Sequence, residues 1–172
     1  LRLHVGAAVA GALCALGFSL RVACRTAPAE PLDGVRYCSG PDGVIEAATG
    51  AHFVINALPL TPATENVLNE RLFAAMATRS WLIQIGRGEH LVEADLLRAL
   101  DDGQLAGATL DVFREEPLPE NHPFWQDSRL RITPHIASDS MPEVVGRQIV
   151  TTVRELRDGI PLSLGVERAR GY

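Results

Sequence analysis

Short apolar runs alternate with helix-patterned stretches along this chain, and that alternation predicts strands and helices in succession. Leu1 to Val5 reads as a strand broken by Gly6, Ala7 to Leu16 as a helix of small residues ended by Gly17, and Leu20 to Cys24 as a second strand. The stretch from Thr26 to Gly43 is rich in Pro and Gly and has room for one short strand around Val35 to Cys38. Val44 to Ala48 suits one or two helical turns. Phe53 to Leu58 is an apolar strand followed by the turn Pro59-Leu-Thr-Pro62, and Asn69 to Ala77 is helical. Trp81 to Ile85 reads as a buried strand interrupted by Gly86-Arg87-Gly88. Val92 to Asp102 is an amphipathic helix, with Leu96, Leu97 and Leu100 on the apolar side and Gly103 beyond its end. Ala108 to Val112 and Leu130 to Thr133 are further strands, separated by the Pro-rich loop Glu115 to Pro123. A last helix spans Pro142 to Arg157, before Gly159 and Pro161.

Short apolar strands separated by helices predict an α/β fold of the Rossmann-like, doubly wound kind: a mostly parallel sheet with helices on both faces. The chain has 172 residues, room for one sizeable domain. Residues 1–158 form that domain in this reading. Residues 159–172 form a tail with too little pattern to fold alone, so it needs a surface supplied from elsewhere. The chain starts with Leu1 directly in an apolar strand, from which a fragment of a longer protein is expected.

With 47% hydrophobic and 22% charged residues the chain reads as a soluble globular domain, not a disordered one. Sixteen basic against twenty-one acidic residues, without a basic tract, argue against a nucleic-acid partner. No eighteen-residue uncharged apolar stretch exists to span a bilayer; Val5 to Leu20 comes nearest, but Gly6, Gly11 and Gly17 suit a strand, turn and helix better. Cys14, Cys24 and Cys38 show neither metal-ligand spacing nor a disulfide framework, which favours a reducing compartment and a cytoplasmic location. His52, His90 and His122 lack a paired ligand pattern, so no metal site is expected, and His4 is read as structural.

Candidate chemistry begins with Gly6-Ala7-Ala8-Val9-Ala10-Gly11, which follows the first strand and opens a helix as a dinucleotide fingerprint does. Ala8 stands where the usual pattern has a glycine that lets the backbone approach pyrophosphate; the helix N-terminus still offers N–H groups and a favourable dipole. Arg25-Thr26 ends the second strand, where NAD readers commonly carry an acid for the ribose hydroxyls and where Arg suits an added phosphate. That reading favours NADPH, with NADH still possible; an ordinary exposed arginine is the alternative.

Arg87 lies between two glycines at the carboxyl end of its strand, and a guanidinium can grip a carboxylate through two parallel bonds. Glu115 and Glu116 follow the next strand, and one of them can orient a histidine. His135 follows Pro134 and the last strand, and its ring can transfer a proton near neutral pH. Each alone also fits a plainer role: a loop salt bridge, a solvated acidic loop, a loop histidine. Together they stand at strand carboxyl ends, where an open α/β sheet binds its ligands.

The ordered set of Gly6-Ala-Ala-Val-Ala-Gly11, Asn56-Ala-Leu-Pro-Leu-Thr-Pro-Ala-Thr64, Gln84-Ile-Gly-Arg-Gly88, Asp111-Val-Phe-Arg-Glu-Glu-Pro-Leu118, Thr133-Pro-His135 and Val166-Glu-Arg-Ala-Arg-Gly-Tyr172 resembles the D-isomer-specific 2-hydroxyacid dehydrogenases. Within that family the likeness is to the glyoxylate/hydroxypyruvate reductase A type, through Arg25, Pro123-Phe-Trp-Gln126 and the C-terminal ending, and it runs from Leu3 to Tyr172. The resemblance implies that Arg87 binds and polarises a small 2-keto acid and that His135 donates the proton as NADPH delivers hydride. It selects Glu116, not Glu115, as the carboxylate that holds the imidazole. It places Asp111 near the nicotinamide carboxamide and Leu58 and Pro59 in the loop of that pocket. It also implies a homodimer for a full-length form. Two residues depart from the pattern: Ala8, and Gln84 where the family often has Asn. The family's substrate-binding lobe is built mainly from a segment before the cofactor domain, so this chain alone is expected to be weak or inactive. A catalytically incompetent cofactor-binding remnant, another 2-hydroxyacid dehydrogenase acting on lactate, phosphoglycerate or another acid, and a non-enzymatic interaction protein stay open.

Overall fold

Every strand pairing in the computed structural model, which describes residues 5–137 and 142–163, is parallel. β1 (Arg21–Ala23) pairs with β2 (Arg36–Cys38), and a four-stranded sheet has the order β3 (Phe53–Asn56), β4 (Ser80–Gln84), β5 (Leu105–Leu110), β6 (Leu130–Ile132). Parallel neighbours need crossover connections; α3 (Glu70–Ala75) lies in the one from β3 to β4 and α4 (Glu93–Asp101) in the one from β4 to β5, while α1 (Val5–Ala15) precedes β1, α2 (Gly43–Ala48) lies between β2 and β3, and α5 (Pro142–Arg157) follows β6. The result is the Rossmann-like α/β architecture, helices covering both faces of parallel sheets, that the alternation of elements implies.

The core sits between the helices and the four-stranded sheet, where Leu72 and Phe73 of α3, Leu96 and Leu100 of α4, and Leu82, Leu105 and Leu110 of the central strands are all buried. α4 shows how its sequence closes locally. Glu93 and Asp95 lie in its first turn, where the helix dipole favours acids, and Leu96, Ala99 and Leu100 repeat at helical spacing on the buried side. Gly103 at φ 72° follows, in the left-handed region that ends helices. Asn69 caps α3 by accepting from the Leu72 N–H at 3.2 Å.

Several boundaries differ from those read in the sequence, three of them for a plain local reason. Val5 opens α1 where a strand residue was expected, because the Ala-rich run behind it propagates helix through Gly6; the rest of that first strand, and His4, lie outside the described residues. β3 stops at Asn56, whose buried side chain accepts the Leu58 N–H and turns the chain away from the ladder. β5 begins at Leu105, three residues before the apolar pattern announces it, because Leu105 is buried and pairs with Ser80. α5 occupies its expected range. It leaves Ile149, Val150, Val153 and Leu156 exposed, with Ile160 and Leu162 beyond it, so its apolar side meets solvent in this chain. Of the tail read as 159–172, residues 164–172 lie outside the described residues.

Leu82 has no exposed surface in the second strand of the sheet, so Leu82→Ala is expected to lower unfolding free energy by about 2–5 kcal/mol. Val153→Thr on the open side of α5 is expected to change it by no more than about 0.5 kcal/mol. Urea unfolding followed by circular dichroism separates the two; equal effects would contradict the assigned core.

Candidate functional site

The strands of the four-stranded sheet are parallel, so the segments that leave their carboxyl ends emerge on one edge. Leu58 and Pro59 follow β3, Arg87 follows β4, Asp111 to Glu116 follow β5, and His135 follows β6. Arg25 and Thr26 follow β1 in the two-stranded ladder and are exposed.

His135 and Glu116 meet. The Nδ1 of His135 lies 2.8 Å from Oε2 of Glu116, while Oε1 of the same carboxylate accepts the Phe113 N–H at 2.9 Å. Glu115, its neighbour, forms no such pair. Burial alone would raise the Glu116 pKa, but the His135 hydrogen bond, the Phe113 N–H and the positive charge of His135 together hold it below the ordinary carboxylate value. His135 stands at φ 56°, a left-handed conformation that costs a side-chain-bearing residue roughly 1–2 kcal/mol. Its ring remains half-exposed, with Nδ1 engaged and Nε2 available to a ligand.

Asp111 sets that conformation. Its carboxylate is 2% exposed; Oδ1 accepts from the Thr133 hydroxyl and the Ile136 N–H (2.9 Å), and Oδ2 accepts the Ala137 N–H at 2.9 Å. The donors bracket His135 on both sides. Burial opposes ionisation here, but the Thr133, Ala137 and Ile136 bonds and the charge of His135 outweigh it, and the group is held below its usual pKa. Charge-assisted bonds of this kind are about twice as strong as neutral ones, enough to offset the strain at His135.

Arg87 is exposed, and its guanidinium folds back to donate to the Gly86 carbonyl at 2.6 Å. Among the described residues no carboxylate forms an ion pair with it. The turn that carries it is pressed against the loop after β5: a Cβ on Gly88 would fall 2.0 Å from the Phe113 carbonyl carbon, inside hard contact. Arg114 closes the same seam, donating to the Leu91 carbonyl at 2.8 Å, the Glu89 carbonyl at 3.0 Å and the Asn66 side chain. The segments bearing Arg87 and Glu116 are therefore locked together.

Sequence reasoning passed over the polar cluster beneath them. Asn56, Gln84 and His90 are buried, and Asn56 Nδ2 lies 2.7 Å from Gln84 Oε1 and 2.8 Å from His90 Nδ1. Gln84 Nε2 donates to the Arg87 carbonyl at 2.8 Å and Oε1 also accepts the Gly86 N–H at 3.2 Å, so glutamine at this position is bonded through both its amide nitrogen and its oxygen. His90 was set aside for want of a metal-ligand pattern. The signal that finds it is its spacing of three residues from Arg87, one 3₁₀ turn over Gly88–His90. Burial lowers its proton affinity, the Pro59 carbonyl and Glu89 raise it, and Arg87 lowers it; the net direction is down. No three His, Cys, Asp or Glu residues gather as metal ligands among the described residues.

The fingerprint residues lie on α1, with Gly6 and Ala8 exposed, Val9 and Gly11 half-buried and Ala10 buried. Apart from the helix's own backbone and the adjoining residues, no described atom lies within 4 Å of where a Cβ would stand on Gly6 or Gly11. No helix among the described residues is long and apolar enough to cross a membrane.

Two measurements check this arrangement. Because Asp111 and Glu116 are held below their ordinary pKa values of 3.8 and 4.5, their contribution to stability is complete above those values and is lost as pH falls below them, through the lower values the two groups have in the folded chain. Asp111→Asn places a donor against donors and is expected to cost about 1–3 kcal/mol at pH 7 and to flatten the loss of stability between about pH 5 and pH 3, where that loss begins. Unfolding curves at both pH values test it; an unchanged pH dependence would contradict the role of Asp111. Gly88→Ala is expected to lower stability by about 1–3 kcal/mol through overpacking, and a neutral result in the same assay would contradict the seam.

Residues 4–137 match the family model described as D-isomer specific 2-hydroxyacid dehydrogenase, NAD binding domain. The chain is 45% identical over 168 residues to the glyoxylate/hydroxypyruvate reductase A of Serratia proteamaculans, covering 98% of this chain and 53% of that protein. It is 43% identical over 169 residues to the protein of the same name from Yersinia enterocolitica, again covering 53% of it. The chain thus spans about half the length of these relatives. Among solved structures, a D-isomer specific 2-hydroxyacid dehydrogenase from Xanthobacter autotrophicus Py2 in complex with NADPH and MES matches with a TM-score of 0.91 and 38% identity, over 98% of this chain and 69% of that one. An NADPH-dependent glyoxylate/hydroxypyruvate reductase from Sinorhizobium meliloti in complex with NADP and sulfate matches at 0.89 and 32%, over 98% and 54%. This chain belongs to the D-isomer-specific 2-hydroxyacid dehydrogenase family, through that family's NAD-binding domain.

Proposed function

We propose that this chain is the nucleotide-binding half of an NADPH-dependent reductase of small 2-keto acids, with glyoxylate or hydroxypyruvate as substrate and glycolate or D-glycerate as product. The observation that carries the reading is the His135–Glu116 pair at 2.8 Å beside the same sheet edge as Arg87. Two relatives and two structures that bear these names or hold NADPH or NADP support it.

The residues present fit a dinucleotide. The first N–H groups of a helix have no partners within it and suit an anion, which α1 would offer, and a Cβ on Gly6 would meet nothing within 4 Å apart from the helix's own backbone and the adjoining residues. Gly6, Ala8, Val9, Ala10 and Gly11 would line the pyrophosphate, Arg25 and Thr26 the ribose phosphate of NADPH, with NADH the weaker ligand. Leu58, Pro59 and Asp111 would border the nicotinamide. When bound, the cofactor supplies hydride to the carbonyl carbon.

Arg87 grips the substrate carboxylate, and its charge draws electron density toward the carbonyl oxygen. His135 gives the proton on Nε2 to that oxygen, and Glu116 stabilises the charged ring before transfer and fixes its orientation through Nδ1. In the reverse direction the neutral ring accepts the alcohol proton. Residues 159–172 are the tail that would return to a substrate lobe, the open side of α5 would pack against that lobe, and a homodimer is the assembly the family resemblance suggests. Water exclusion then depends on that lobe, so this chain alone is expected to turn over slowly.

A chimera in which this chain replaces the matching half of the Serratia relative tests the assignment. It is expected to oxidise NADPH in the presence of hydroxypyruvate, and His135→Ala to lower kcat by about 10²–10⁴-fold. Unchanged turnover in His135→Ala, or equal turnover by the isolated chain, would overturn the reading.

A further inference from the structure

His90 has no exposed surface, yet it lies one 3₁₀ turn from the exposed Arg87 and touches the backbone on which that guanidinium is mounted. Its Nδ1 accepts the Arg87 N–H at 3.1 Å and faces Asn56 Nδ2 at 2.8 Å. Two donors converge on that nitrogen, so it carries the lone pair and the ring proton resides on Nε2, 3.4 Å from the Pro59 carbonyl. A second proton would set an N–H against both donors at a fully buried position.

We propose that His90 is the positioning residue for Arg87: its neutral ring, protonated on Nε2, fixes the backbone of the Arg87 turn and with it the direction in which the guanidinium meets a substrate carboxylate. The inference rests on the reading of Arg87 as the carboxylate anchor. Arg87 needs such a restraint because glycines flank it on both sides, and glycine leaves the peptide the widest choice of conformations. Its carbonyl is held by Gln84 Nε2 at 2.8 Å and by the His90 N–H at 3.1 Å, and among the described residues its own N–H is held only by the His90 ring. The Pro59 loop depends on His90 far less, since its carbonyl already accepts the Thr64 hydroxyl at 2.7 Å. Loss of the ring should therefore loosen the acid-binding turn and leave the nicotinamide loop in place. Glu89 and Arg87 are the charged groups that act on the ring, in opposite directions.

The test uses this chain, isotope-labelled, in three forms: unaltered, His90→Leu, which keeps volume without an acceptor, and His90→Asn, whose side-chain oxygen can accept near the Nδ1 position. Imidazole nitrogen shifts report the His90 tautomer, amide exchange reports the Arg87 N–H, and oxamate titrated with NADPH present, followed on the Arg87 Nε–H resonance, reports acid binding. The expected result is a neutral Nε2–H ring and a protected Arg87 amide in the unaltered chain. His90→Leu should lose that protection and bind oxamate about tenfold or more weakly with unchanged NADPH affinity, and His90→Asn should recover both. A proton on Nδ1 in the unaltered chain overturns the proposal even if His90→Leu fails to fold. Equal Arg87 protection and equal oxamate affinity in His90→Leu also overturn it. An Arg87 resonance indifferent to oxamate beside a His90-dependent Arg87 amide would instead remove the substrate reading and leave the positioning role standing.

Discussion

Asp111 is buried, and among the described residues its carboxylate takes three hydrogen bonds, all from the segment 133–137, which fixes the course of the chain leaving β6. An ionised group in that setting must be bonded on both oxygens or it would destabilise the fold. Satisfying it forces His135 into a left-handed backbone, and that conformation delivers the ring to Glu116. Glu116 is in turn fixed by the Phe113 N–H, two residues past Asp111. The proton-handling pair is thus a consequence of how one buried acid is satisfied.

The same economy joins the acid-binding turn to the rest. Gly88 permits a backbone approach that any side chain would forbid, and Arg114 bonds carbonyls on the far side of the seam. Beneath it, Asn56, Gln84 and His90 tie the turns after β3 and β4 to one another. A site on loops is ordinarily mobile; here each strand-end turn is bonded to the next, so parts distant in sequence are set in one frame. The open side of α5 contrasts with this order: Ile149, Val153 and Leu156 are each more than half exposed.

Much of the fold was legible because parallel strands buried on both faces give short apolar runs, and Trp81 to Ile85 or Val92 to Asp102 announce themselves by composition and period. Ends were less legible. Asn56 ends β3 through a side-chain bond to Leu58, and Leu105 joins β5 by register with Ser80, neither of which a local pattern reports. Val5 misled because Gly6 suggests a break, whereas the alanines behind it carry helix. His135, Arg87 and the pair Glu115 and Glu116 could be named from position after strands; the resemblance selected Glu116, and His135 and Glu116 do meet. The binding role of Asp111 came with the resemblance; its grip on residues 133–137 depends on contacts across twenty-two to twenty-six positions. His90 was hidden because an isolated histidine carries no pattern until the fold supplies its partners.

The central claim is that this chain binds a phosphorylated dinucleotide at the carboxyl edge of its sheets, and calorimetric titration of the folded chain with NADPH beside NADH tests it most directly. Saturable binding tighter for NADPH, with the difference reduced in Arg25→Ala, is the result the account predicts. Absence of binding to either nucleotide, or equal affinity for both in the unaltered chain, would contradict the nucleotide site in the first case and the role of Arg25 in the second.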